Sequence, residues 1–165
     1  MATGSYPQLR SIPILALAPT GFISGTIHIP AIKGLRSFLN GQDEILKLTD
    51  AMIPGSQVTF PFLALQKVAT HLIAPRATVE PEAGFANTRQ HLVTCLLSMG
   101  SIRGYIDVLE NVRVSDFLLR NHGFIEFKNC YLGPNPQVDP TNISGDPLAQ
   151  VFVNARSMVG VTEEA

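Results

Sequence analysis

The sequence predicts a mainly β chain of two tandem copies of a small five-stranded barrel, each copy carrying a short helical turn between its second and third strands. Three observations carry this expectation. The two halves of the chain align at an offset of 79 residues. Apolar and polar residues alternate with a period of two in the segments that align, as half-buried strands require. A glycine stands inside the second alternating segment of each half, Gly25 and Gly104, where a strand bulges, bends or admits close backbone approach.

The alignment runs without a gap from Ile12 to Ile53 against residues 91–132. Its identities are Leu17, Gly21, Ile23, Gly25 and Ile27 with Leu96, Gly100, Ile102, Gly104 and Ile106, followed by Phe38-Leu39 with Phe117-Leu118. The apolar pattern extends further, since Ile14, Ile29, Leu35 and Leu48 face Val93, Val108, Val114 and Phe127. Beyond residue 53 the second copy gains about nine residues, and Leu63 and Leu65 then match Val151 and Val153 at an offset of 88.

Each copy opens on an apolar strand, Ile12–Ala18 or Leu92–Leu97. A glycine turn follows at Gly21 or Gly100, then the alternating strand Ile23–Ile29 or Ile102–Val108. The helical turn of the first copy is expected over Leu35–Asn40 with Gly41 as its stop. In the second copy, Ser115 or Asp116 is expected to cap Phe117-Leu118-Leu119-Arg120. The third strand is Ile45–Ala51 or Phe124–Leu132. Loops at Pro54-Gly55-Ser56 and Gly133–Pro147 separate it from Thr59–Ile73 and Leu148–Val161, each read as two short strands. A helix over Phe62–Ile73 has good formers in Ala64–Ala69, but the aligned Val151-Phe152-Val153 is strand sequence. The division that follows is an N-terminal extension 1–10, a first repeat 11–76, a linker 77–89, a second repeat 90–162 and a tail 163–165. Neither repeat is long enough for a large core of its own, so the two are expected to bury surface against each other.

The order of strand, glycine turn, strand with an inner glycine, polar loop, apolar strand and two short strands resembles the Sm-like barrel, a small bent sheet of the SH3-like kind. Val93–Leu97, Gly100, Ile102–Ile106, Phe124–Asn129 and Val151-Phe152-Val153 follow that rhythm, and Thr49-Asp50-Ala51 stands where the family often closes its third strand with an acid. Arg113–Leu118 followed by Phe124–Phe127 also resembles an uncharacterised bacterial family of unknown function, which implies no activity. The Sm-like resemblance implies a barrel that associates edge to edge. Its RNA-reading residues do not carry over. The loop before the third strand is a Phe-Leu helical turn here, and the final turn reads Gln66-Lys67 or Asn154-Ala155 in place of an Arg-Gly pair.

Composition restricts the function further. Charged residues make up only 15% of the 165, and the net charge is −1, so no basic field attracts nucleic acid or an anionic membrane. Residues 11–90 hold six Lys or Arg against five acids, and residues 91–165 hold five against eight. A nucleic-acid partner is therefore not expected. The apolar run at Ile12–Ala18 has the small-x-small ending of a secretory leader, but Pro19 follows it, so the chain is read as unprocessed and cytoplasmic. No apolar run has the length of a transmembrane segment. Cys95 and Cys130 have no metal or disulfide spacing and read as buried thiols of a reducing compartment.

No catalytic constellation, cofactor motif or metal set emerges. His28, His71, His91 and His122 lack partners at ligand spacing, and Asp43-Glu44 lies in a polar turn that solvates it. Arg36, Arg113 and Arg120, near the helical turns, are the candidates for contact with an anion or a partner acid. Phe38 and Phe117 are expected to anchor those turns, whereas Phe60, Phe62 and Phe85 are candidates for an intermolecular contact. The reading is a non-catalytic assembly or protein-interaction subunit that self-associates or joins a larger complex. An RNA-binding Sm-like protein and a small-ligand sensor binding between the repeats are the alternatives.

Overall fold

A computed structural model of the protein describes residues 6–164 apart from 78, 81, 83, 85 and 134–147. The chain is mainly β. Five strands of the first half are β1 (Leu9–Ala18), β2 (Gly21–Pro30), β3 (Ile45–Met52), β4 (Phe60–Gln66) and β5 (Leu72–Pro75). Five more are β6 (Thr88–Leu97), β7 (Gly100–Leu109), β8 (Phe124–Leu132), β9 (Leu148–Asn154) and β10 (Met158–Glu163). Two short helices, α1 (Leu35–Leu39) and α2 (Val114–Arg120), lie between β2 and β3 and between β7 and β8. Single 3-10 turns at Lys67–Ala69 and Ala155–Ser157 connect the last two strands of each half.

All ten strands form one antiparallel sheet in the order β10-β6-β7-β8-β9-β5-β1-β2-β3-β4. Each half thus has the same internal order, its last strand beside its first and its fourth strand at the far end. The apolar stretch Ile12–Ala18, with its leader-like ending, belongs to β1 inside this sheet. The segment Phe62–Ile73 is strand interrupted by one 3-10 turn.

Gly25 and Gly104 mark the same local device. The β2–β3 register shifts between Ser24 and Thr26, and the β7–β8 register between Arg103 and Tyr105. The facing strand carries the extra residue, with Asp50 and Asn129 in the left-handed region at φ 50° and 49°. Aspartate and asparagine tolerate this conformation better than most residues. Each bulge pushes its strand toward the glycine opposite. A Cβ at Gly104 would lie 3.0 Å from Cys130 Sγ and 3.1 Å from the Lys128 carbonyl, and one at Gly25 would lie 3.1 Å from Leu48 Cβ.

The expected cap of the second helix is corrected. Helix α2 begins at Val114, two or three residues earlier than a Ser115 or Asp116 cap allows, and extended Arg113 holds the N-cap position with no side-chain cap. Burial of Val114 against the core sets this start. Phe38 and Phe117 pack, partly buried, against the two apolar clusters of the molecule.

Those clusters are shared between the halves. The first gathers Ile14, Ile27, Ile29, Leu46 and Leu48 but also takes Phe124 and Phe152 from the second half. The second gathers Val93, Ile102, Ile106, Phe127 and Val151 but takes Leu17, Leu72 and Ala74 from the first.

Candidate functional site

The two halves meet where β5 pairs with β9. Leu72 lies opposite Val153 and Ile73 opposite Phe152, and the Asn154 N–H donates to the His71 carbonyl over 2.8 Å. The Asn154 side chain completes this join. Its Nδ2 donates to the carbonyls of Lys67 and Thr70 at 3.1 and 3.0 Å, and its Oδ1 accepts from the Arg156 N–H at 3.0 Å. Asn154 is, with Thr70, one of two buried polar side chains among the described residues, and its donor and acceptor groups are partnered.

A second contact reinforces the first. Asn40, just past α1, accepts from the Phe124 N–H at 2.7 Å and donates to the Phe124 carbonyl at 3.1 Å. It thereby serves the first residue of β8 as a neighbouring strand would. Arg36 lies between two carboxylates, 4.0 Å from Glu82 and 3.7 Å from Glu126. Glu82 also accepts from the Ser37 N–H and hydroxyl. Burial would raise its pKa, but these hydrogen bonds and Arg36 together hold the carboxyl below its ordinary range.

Clefts open along this join. One of about 650 Å³ is lined by residues of both halves, among them Asp43, Glu44, Lys67, His122, Asn154 and Arg156. Partial burial lowers the Lys67 pKa, with Asp43 opposing and Lys33 adding to that shift. A second cleft, of about 570 Å³, takes in Arg36, Ser37, Asp107 and Lys128. The Lys128 ammonium pairs with Asp107 at 2.7 Å. Among the described residues, no group of three His, Cys, Asp or Glu is placed to hold a metal ion, and no helix is long and apolar enough to cross a membrane.

The sheet ends at two open edges, β4 and β10. Phe60, Phe62 and Ala64 share one exposed face of β4, and Val159 of β10 is 71% exposed. Both strands present backbone N–H and C=O groups that no strand among the described residues covers.

Of the three arginines singled out in the sequence, Arg36 sits at the join and is engaged by carboxylates of its own chain. Arg113 and Arg120 are exposed at the two ends of α2 and line neither cleft described above. The structure therefore does not gather the three into one site. Phe60 and Phe62 are exposed on the β4 edge, while Phe85 lies outside the described residues. His28 is exposed between Ser11 and Thr49, His91 pairs with Glu163, and His122 is exposed. Cys95 and Cys130 are buried free thiols whose pKa values burial pushes up to about 12, far from a reactive thiolate.

Two residues at the join have places that the repeat does not mark. Asn40 aligns with Leu119 and His71 with Val159, so neither belongs to a repeated pattern. Both ring nitrogens of His71 are sealed from solvent and have no hydrogen-bond partner among the described residues, and burial lowers its pKa. The signals the sequence offers are an Asn closing a short helical turn and a His ahead of the apolar run Leu72–Ala74. In comparisons with protein-family models, curated proteins and solved structures, the chain matches none of them.

Proposed function

We propose that the protein is a non-catalytic assembly subunit built from two tandem Sm-like barrels, residues 11–76 and 90–162, that associates through its strand edges. The observation that carries this reading is the β5–β9 pairing, by which one half of the chain already extends the sheet of the other while β4 and β10 stay open. An exposed strand edge is a template for another strand. The low charged fraction of the chain and the exposed aromatics on β4 support the same reading. The buried free thiols fit a reducing compartment, and the cytoplasm is the proposed location.

Light scattering on the purified protein tests the proposal. Association predicts a mass above the 17.9 kDa of one chain that rises with concentration. A constant monomer mass, with no retained partner, would remove this function.

A second reading rests on the cleft lined by both halves. Its volume of about 650 Å³ is that of a small-molecule site, and Lys67, Arg156 and His122 line it beside Asp43 and Glu44. In this reading the protein senses a small polar ligand held between the repeats. Thermal-shift screening of small anions and zwitterions against the protein, with Arg156→Ala as the control, tests it. A rise in Tm that Arg156→Ala abolishes would support the sensor.

A further inference from the structure

We propose that β4 of one molecule pairs antiparallel with β10 of a second copy of this chain, in the same register that joins β5 to β9 within the molecule. The inference deepens the assembly reading above and rests on it; it adds the partner, the strands and the residue pairs.

The internal join supplies the template. Positions in the last two strands of each half correspond at an offset of 88 residues, and the structure keeps this correspondence in detail. The Ala155 N–H donates to the Gly123 carbonyl and the Lys67 N–H to the Glu44 carbonyl, both at 2.9 Å. The turns that place β9 and β4 are therefore built alike. Carried over in register, Leu72 opposite Val153 becomes Gly160 opposite Leu65, and Ile73 opposite Phe152 becomes Val161 opposite Ala64. The hydrogen bond from Asn154 N–H to the His71 carbonyl becomes one from Gln66 N–H to the Val159 carbonyl.

Side-chain chemistry at the outer edges fits this transfer. Gln66 occupies the place of Asn154, an amide for an amide. Its Nε2 would meet the carbonyls of Ala155 and Met158 in the second copy, which correspond to the Lys67 and Thr70 carbonyls held by Asn154. Phe60, Phe62 and Ala64 lie on the face of β4 that corresponds to the Phe152 face of β9. Phe152 is fully buried because it enters the core of the other half; Phe62, paired with Thr49 on one side only and two residues before Ala64, the counterpart of Phe152, is 57% exposed. Asn40 and Phe124 correspond to Leu119 and Ile45, so the polar clamp of the internal join becomes an apolar pair between copies. Leu119 and Ile45 are 74% and 45% exposed. Pro61 lacks a backbone donor and confines the pairing to the end of β4; the internal join uses Phe152–Asn154, the counterparts of Ala64–Gln66.

A contact of this kind is heterologous, with different surfaces on the two partners, and it propagates head to tail into rings or filaments. A mixed cross-linking experiment tests it. One preparation carries Ala64→Cys, the other Val161→Cys. Directly opposed residues of an antiparallel pair have Cα atoms roughly 5.5 Å apart, within disulfide reach. Mild oxidation of the mixture is expected to give a reducible species of twice the chain mass, while each preparation alone and the parent protein give none. Ala64→Cys mixed with Met158→Cys, out of register, is expected to give none as well. Phe62→Lys, at an exposed position that leaves the fold intact, is expected to raise the concentration at which the assembly half-dissociates by about tenfold or more.

The outcomes separate the two levels of the claim. A mass above the monomer without the 64–161 cross-link, or with the out-of-register link equally strong, would overturn the proposed strand pairing and leave an assembly of another kind. A constant monomer mass and no cross-link would overturn both the pairing and the assembly function.

Discussion

At Gly104 the facing strand leaves no room for a side chain. The approach is to Cys130 Sγ and to the Lys128 carbonyl, and a carbonyl in a bulged strand cannot swing aside as a side-chain tip can. Gly104→Ala is expected to lower stability by about 1–3 kcal/mol, the usual cost of overpacking, read as a lower urea midpoint. Gly84→Ala is the control, since a Cβ there meets nothing within 4 Å. His71 gives the protein a pH dependence of definite sign. Burial disfavours its charged form, so the folded pKa lies below the ordinary 6.5 and the unfolded chain takes up the proton first on acidification. The contribution of this residue is complete above about pH 6.5 and is lost as pH falls from there through the lowered folded value. Urea midpoints between pH 7.5 and about 5 should therefore fall in the parent protein. His71→Leu should remove that part of the decline.

The strands were legible in the sequence because their signal is local. Ile23–Ile29 and Ile102–Val108 alternate, and each half repeats the other's glycines, so the bulge pairs Gly25 with Asp50 and Gly104 with Asn129 at one spacing. The start of α2 was less legible. Ser115 and Asp116 have good capping chemistry, but burial of Val114 draws the first turn back to Arg113. The join between halves was hidden for a different reason. Pairing of Leu72-Ile73 with Phe152-Val153 is non-local and leaves no periodic mark, and the residue that clamps it, Asn40, has no counterpart in the second half. Arg36 was legible as a residue seeking an acid; that Glu82 and Glu126 supply it depends on chain paths no motif records. The clamp itself is testable. Asn40→Ala leaves the Phe124 N–H and C=O without their side-chain partner and is expected to cost about 1–3 kcal/mol. Asn40→Asp should recover only part of this, because a carboxylate accepts from the N–H but cannot donate to the carbonyl. Equilibrium urea unfolding of the three proteins measures both effects.

Over the whole molecule, the exchange of core residues couples the halves. Phe124 and Phe152 complete the first cluster, and Leu17, Leu72 and Ala74 complete the second. Melting of either half strips apolar cover from the other. Calorimetry should therefore show one transition, with the calorimetric and van't Hoff enthalpies equal in a dilute sample. Phe152→Ala should lower that transition as a unit, by about 3–5 kcal/mol of stability, without splitting it. Two resolved peaks in either protein would show that the halves melt separately.

Among the described residues, the chain carries one join covalently and leaves the matching edges, β4 and β10, unpaired. This has an arithmetical consequence for any closed assembly formed through those edges. Its five-stranded units come in pairs, so their number is even, and its rotational symmetry is half that number. The joins around such a ring alternate between two sequences, one with Asn154, Phe152 and Asn40, the other with Gln66, Ala64 and Leu119. Mutations can therefore loosen every second join and spare the rest, which a ring of identical single units does not permit.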